Sequence, residues 1–381
     1  MSRMSATTSS STGPSSADLS RAGGFHAKGG KRFPCKACGA FLEFVPGTTE
    51  LRCRACGTVN EIAPSDANAV VENDFLSTVN HLANAAPSVE VLTVKCDACA
   101  AEVTKPNEVT SFACPYCGNN LVSQPECHSI IRPGAVLPFK VPKDQAAKLF
   151  REWVTTRWFA PNRLKRFSEL KEQFSGIYVP YWTYDSHVTT QYTGQRGEYY
   201  YVTVGSGNNR RTERRTRWYP ASGVVFNAFD DVLVRAGSSL PEKHLNQLEP
   251  WDLENLVEYN DDYLSGFRAE TYKTSLADGF AEAQGLMQPT IDATIRADIG
   301  GDTQMISSKH SDYDAITFKH ILLPVWVSAY RLGTQSFRFL VNGRTGEVQG
   351  ERPYSAWKIF FAVLGGLIVV GTIVAIAMNA K

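Results

Sequence analysis

The sequence predicts an α+β protein with two tandem four-cysteine zinc ribbons, an α+β globular domain of antiparallel strands, and one C-terminal transmembrane helix. Three observations lead there: eight of the nine cysteines fall into two identical frames, helical and strand periods alternate through the middle, and a long uncharged run lies near the C-terminus. The expected order is a disordered leader (1–30), ribbon 1 (31–62), a linker with a short helix (63–92), ribbon 2 (93–124), the α+β domain (133–352) and the membrane helix (357–378).

Cys35 and Cys38 are followed by fourteen residues and then Cys53 and Cys56; Cys96, Cys99, Cys114 and Cys117 repeat the frame 61 positions later. Two C-x2-C knuckles close a tetrahedron around one metal, and four thiolates leave no open position for substrate. Gly39, Gly57 and Gly118 follow three of the knuckles, where a tight turn aims backbone N–H groups at sulfur. Disulfides are the competing reading. No apolar secretory core precedes the cysteines, which favours a reducing compartment and a metal. Zinc, two structural ions in all, is the default; iron suits the same thiolates. Cys127 has no mate, and its neighbour His128 is adjacent only in sequence.

The leader is rich in Ser, Thr and Gly, as in disordered segments. In the linker, Val70, Val71, Phe75, Val79 and Leu82 fall near one helical face behind a Ser65/Asp66 cap. Pro142 opens a helix to about Arg157, and a second is read near Asn162–Phe174. Strands are read at IYVPYWTYDSHV, at Tyr199–Val204 with Arg210–Trp218 as a hairpin, and at Ile321–Arg331, Phe337–Val341 and Glu347–Gln349, with Asn342-Gly343 as a turn. A helix over Ser275–Asp298 is expected to kink or break at Pro289 and stop at Gly300-Gly301. Ile177–Trp182 and Ile321–Trp326 share an apolar–Pro–x–Trp pattern, with Leu137-Pro138-Phe139 as a degenerate third copy; their prolines are expected at an edge or bulge.

Ile359 to Met378 is twenty residues without a charge, long enough for about 30 Å of hydrocarbon. The expectation is a tail anchor, single-pass in the cell membrane, with Arg352 and Lys358 holding the N-terminal bulk in the cytoplasm.

Net charge is +1, so no global bias points to nucleic acid. Arg210, Arg211, Arg214, Arg215 and Arg217 cluster on one arm of the hairpin, with 211, 215 and 217 on one face and 210 and 214 on the other. Three readings stay open: a solvated edge, a contact with lipid or an acidic protein, or nucleic acid. No catalytic constellation emerges. The seven histidines show no H-x3-H pairing, and Asp185 and His187 are read as sharing one face of a strand. No phosphate loop exists, since Gly29-Gly30-Lys31-Arg32 lacks the hydroxyl residue. The chain is read as no enzyme, with no small-molecule substrate.

The strings LPF, RWFAPN, YVPYWTYD, YTGQRGEYYYV, DIGGD, LLPVW and FLVNGRTGEVQGERPYS, after two ribbons and before an apolar run, resemble a group of bacterial membrane-anchored zinc-ribbon proteins. Its members are called transcription-factor-IIB-type zinc-binding proteins or helicases similar to primosomal protein N′, and resemble the zinc-ribbon component found beside PspA-type and SPFH-domain proteins. The resemblance implies a scaffold or adaptor that organises such partners at the membrane, with eight cysteine ligands and no catalytic residue. The alternative is a membrane-tethered nucleic-acid-binding protein.

Overall fold

Three strands of unusual length organise the chain, and their alternation explains which side chains are inside. The computed structural model describes residues 35–40, 42–62, 70–84, 131–157, 174–207, 210–332, 335–351 and 355–379, with short strand segments between 90 and 129 and Phe159, Pro161 and Leu164. β1 (Leu42–Phe44), β2 (Glu50–Cys53) and β3 (Val59–Glu61) form a small antiparallel sheet around the first cysteine frame. β4 (Asn73–Asp74) leads into α1 (Phe75–Asn84). β5 (Glu90–Lys95), β6 (Glu102–Thr104), β7 (Phe112–Ala113), β8 (Asn120–Leu121) and β9 (Glu126–Ser129) follow as two further small sheets.

The body then begins with β10 (Ala135–Val136) and α2 (Lys143–Thr155), followed by the hairpin of β11 (Ser175–Val204) and β12 (Arg211–Arg235). Next come α3 (Glu242–Asn246), β13 (Val257–Glu258), β14 (Arg268–Ala269) and α4 (Leu276–Ile299). β15 (Thr303–Leu332), β16 (Gln335–Asn342), β17 (Val348–Gly350) and α5 (Ala356–Asn379) complete the order. The main sheet has nine strands, running β12-β11-β15-β10-β13 with β14, β16, β17 and β4 attached. Among the described residues, only the β10–β15 and β11–β14 pairings are parallel.

α4 lies along one face of the blade formed by β12, β11 and β15. Its buried stripe, Phe280, Ala283, Met287, Ile291, Ile295 and Ile299, packs against Trp182, Tyr184, Val188, Tyr192 and Val225. Ser275 caps it, Oγ accepting from the Asp278 N–H at 3.1 Å, and Gly300 ends it at φ 66°. Pro289 does not break the helix. Both Pro289 and Gly285, whose carbonyl loses its donor, are exposed, so that carbonyl faces solvent while the buried stripe continues undisturbed.

The two Pro-x-Trp segments pair with each other, Tyr178 opposite Pro324 and Pro180 opposite Leu322. Their prolines sit neither on an outer strand nor in a bulge, as expected, but at gaps between flanking strands. Pro180 O accepts from Ala236 N, and Pro324 O from Gly343 N. Each proline therefore turns its missing donor outward, where the lateral partner changes from β14 to β12 or from β10 to β16. The tryptophans are buried, Trp182 Nε1 donating to Thr274 O and Trp326 Nε1 to Val141 O.

Three expectations are corrected here. The protein is mostly β-sheet, not α+β, because segments given no strand from the sequence, at 189–198, 219–235 and 303–320, are continuous strand. Polar residues occupy both faces of the blade there, so no period marked them. Second, no helix among the described residues is long and apolar enough to cross a membrane. α5 forms over the uncharged run. The absence of a spanning helix among the described residues overturns the transmembrane helix over 357–378 and the single-pass membrane placement built on it. Third, the linker helix is capped by Asp74, whose Oδ1 accepts from Ser77 N, and presents Phe75 and Val79 inward while Val71 and Leu82 are exposed. Ser65, Asp66, the leader and most of the helix read near 162–174 lie outside the described residues.

Candidate metal centre and arginine blade

Each cysteine knuckle is closed by the same pair of backbone hydrogen bonds. Gly39 N donates to Cys35 O and Cys35 N to Ala40 O; Gly57 N donates to Cys53 O and Cys53 N to Thr58 O. Both glycines sit in the left-handed region, at φ 75° and 76°, which is why no residue with a Cβ serves there. The duplicated turn brings four Sγ atoms together. Cys35 and Cys56 are 3.5 Å apart, as are Cys38 and Cys53, and all four lie within 4.8 Å of one another. A disulfide needs about 2.0 Å, whereas the edge of a zinc–sulfur tetrahedron is about 3.8 Å. The four side chains therefore fit one metal ion.

Electrostatics gives the same answer. The Ala37 amide, 3.4 Å from Cys35 Sγ, lowers that thiol's pKa, and Thr58, whose hydroxyl is 3.1 Å from Cys56 Sγ, holds Cys56 down to about 6. At Cys38 the Ala40 amide favours ionisation, but the surrounding sulfurs outweigh it and push the thiol up to about 12. Four thiolates this close cannot ionise together unless a cation sits among them. Thr58 was not singled out from the sequence. Its place directly after Gly57, where the knuckle's amides converge on sulfur, was the signal that pointed to it.

The ribbon is welded to the body. Cys35 and Cys53 are buried in one cluster with Leu42, Phe44, Leu51 and, from the body, Tyr263 and Phe267. Phe44 meets Tyr263 edge-on at 5.3 Å between centroids. Phe44 N donates to Ser265 O, Ser265 Oγ to Leu42 O at 2.6 Å, and Gly47 N to Phe139 O. Cys96, Cys99, Cys114 and Cys117, the second expected set, lie outside the described residues.

The arginines stand at the far end of the blade. β15 stops pairing with β11 at Gly197, so residues beyond it project as a two-stranded ribbon. Tyr200 pairs with Arg215, Val202 with Glu213 and Val204 with Arg211, so these residues share a face with Arg217, opposite Glu198. Tyr201 pairs with Arg214 on the other face. Arg210 precedes β12 and is exposed. On the first face Arg211 and Arg215 meet Glu213 at 2.8 and 3.6 Å.

A second polar cluster was not read as a unit. Lys319 Nζ, on a side chain 8% exposed, lies 2.8 Å from Asp231, 3.0 Å from Glu72 and 3.9 Å from Asp185. Burial works against the ammonium, but Asp231 and Glu72 outweigh it and raise its pKa, while Lys319 lowers that of Glu72. Asp185, Asp230 and Asp231 approach closely enough for a cation, and the lysine supplies that charge. Asp185 sits where the register shifts on both sides of β11, so it and His187 do not act as a pair: Asp185 accepts from Asp231 N and Thr317 Oγ1, whereas His187 is exposed. Deeper in, His320 Nδ1 contacts Ile131 O at 2.9 Å, while its ring lies 4.6 Å from that of Trp182. Burial lowers its pKa to about 4.

Fold and site together define a class: a β-sheet protein whose N-terminal four-cysteine ribbon is built into the core of the body. No protein-family model and no solved structure matches the chain. Over 260 residues it is 26% identical to the uncharacterized protein YdjG of Bacillus subtilis (strain 168), a match covering 65% of this chain and 73% of that protein.

Proposed function

We propose that the protein is a zinc-dependent scaffold or adaptor in which each four-cysteine frame holds one structural zinc. The observation that carries this reading is the union of a four-sulfur cluster with the body's core at Phe44, Tyr263 and Phe267. Bound zinc supplies a closed tetrahedral crosslink with no position for a reacting water, and such a site contributes roughly 10–16 kcal/mol to folding in small modules. Cys35 and Cys53 tie that crosslink to the body, and Cys38 and Cys56 complete it at the surface. The function of such a site is to hold a surface in place for a partner. The likeness to zinc-ribbon proteins encoded beside SPFH and PspA-type proteins supports protein partners of that kind.

The test is metal analysis joined to co-purification. The wild-type chain is expected to carry two zinc ions, and the Cys53→Ser/Cys56→Ser variant one, with loss of its protein partners. Two zinc ions retained in the variant, or partners retained with the ribbon unfolded, would sink the reading.

A further inference from the structure

The projecting end of the blade carries a chemistry that the metal centre does not explain. Between residues 175 and 235 there are seven arginines and no lysine. A guanidinium differs from an ammonium in offering a planar fork to phosphate and a flat face to aromatic rings. Both uses are set up here. Arg214 lies 4.3 Å from the Tyr199 ring centroid, Arg217 5.1 Å from Tyr200 and Arg196 5.7 Å from Tyr219.

The two faces of the ribbon differ. Strand register puts Tyr199, Tyr201, Arg214 and Trp218 on one face, which holds no carboxylate from either strand beyond Gly197. Trp218 lies across Gly197, where an added Cβ would come within 2.9 Å of its ring, so the glycine lets the indole lie flat on the strand. Tyr201 is 68% exposed and Trp218 39%. The opposite face carries Arg211, Arg215 and Arg217, and β12 is the terminal strand of the sheet, so these side chains border an open edge. Flat, exposed rings beside arginines along one edge match a strand of unstacked bases with its phosphates alongside.

We propose that this blade tip binds single-stranded nucleic acid, with bases stacked on Tyr199, Tyr201 and Trp218 and phosphates met by Arg211, Arg214, Arg215 and Arg217. An acidic peptide has no use for the aromatic platform. A membrane would require an apolar apex, and β11 runs out here into Gly205, Ser206 and Gly207. The proposal stands apart from the metal reading, because the variants below keep every cysteine.

Fluorescence anisotropy with the full chain and a labelled oligothymidylate of about fifteen nucleotides tests it. Binding is expected to weaken with salt along a log–log slope of about −3, as for roughly four phosphates on a single strand. The Tyr199→Ala/Tyr201→Ala/Trp218→Ala variant should bind at least about tenfold more weakly with the slope kept. The Arg214→Ala/Arg215→Ala/Arg217→Ala variant should flatten the slope. Circular dichroism of both variants should match wild type, since the replaced side chains project from the body. Absence of binding at low salt, equal binding by both variants, or tighter binding to phosphatidylglycerol vesicles or polyglutamate than to the oligonucleotide would each overturn the proposal.

Discussion

His320 gives the sharpest test of the packing. Its imidazole is buried against Trp182 and Tyr272, with Nδ1 held by Ile131 O. Burial lowers its pKa from 6.5 to about 4, so the folded chain keeps the ring neutral. Below pH 6.5 the unfolded chain binds a proton that the folded chain does not, and stability falls as pH drops through that window. At 1.36 kcal/mol per pH unit the full loss is about 3 kcal/mol, complete near pH 4. The perturbation is His320→Leu, measured by urea unfolding at several pH values. At neutral pH the variant should be less stable by about 1–2 kcal/mol, the cost of leaving the Ile131 carbonyl unpaired. Between pH 7.5 and 4.5 its disadvantage should shrink by about 2–3 kcal/mol and can reverse, since leucine does not titrate. Other acid-sensitive groups, the cysteines included, are common to both proteins and cancel in the difference. A difference independent of pH, or one that grows toward acid, would show that the histidine takes its proton inside the fold and refute the reasoning.

Two further substitutions probe the body. Lys319→Met leaves Asp231, Asp185 and Glu72 without their shared cation; since Asp231 and Glu72 are partly exposed, a loss of about 2 kcal/mol in chemical denaturation is expected. The same change should release β4, read as faster amide exchange at Asn73 and Asp74, because Glu72 is the side chain that ties that segment to β15. Asn342→Ala removes a fully buried amide whose Oδ1 accepts from Arg344 and Thr345 N–H groups and whose Nδ2 donates to Leu248 O, and should lower stability by about 2–3 kcal/mol, seen as a lower thermal midpoint.

What could be read from the chain alone was what is local. The cysteine frame specifies its ligands because both knuckles close within six residues, and Asn342-Gly343 marks its turn through the asparagine's own side chain. The buried stripe of α4 was visible because one face is apolar throughout, and Pro289 misled only because its neighbour at 285 happens to be exposed. The blade was hidden for the opposite reason. Thr189, Gln191 and Thr193 on one side and Thr190 on the other leave no two-residue period, so thirty residues of strand looked like short strands and loops. Contacts distant in sequence were out of reach: Lys319 meets Glu72 across 247 positions, and Ser265 meets Leu42 across 223. The arginines were legible as a cluster, but the aromatic face that Arg214 shares needed the register between Tyr201 and Arg214.

The central claim is that a metal held by four cysteines fixes the N-terminal ribbon to the β body. Amide hydrogen exchange before and after chelation tests it most directly, at Phe44 N–H, which donates to Ser265 O, and Gly47 N–H, which donates to Phe139 O. The account predicts that both amides are protected with metal bound, that chelation removes the protection, and that zinc restores it. Protection unchanged by complete metal removal would contradict it, since the ribbon would then be held by its apolar contacts alone.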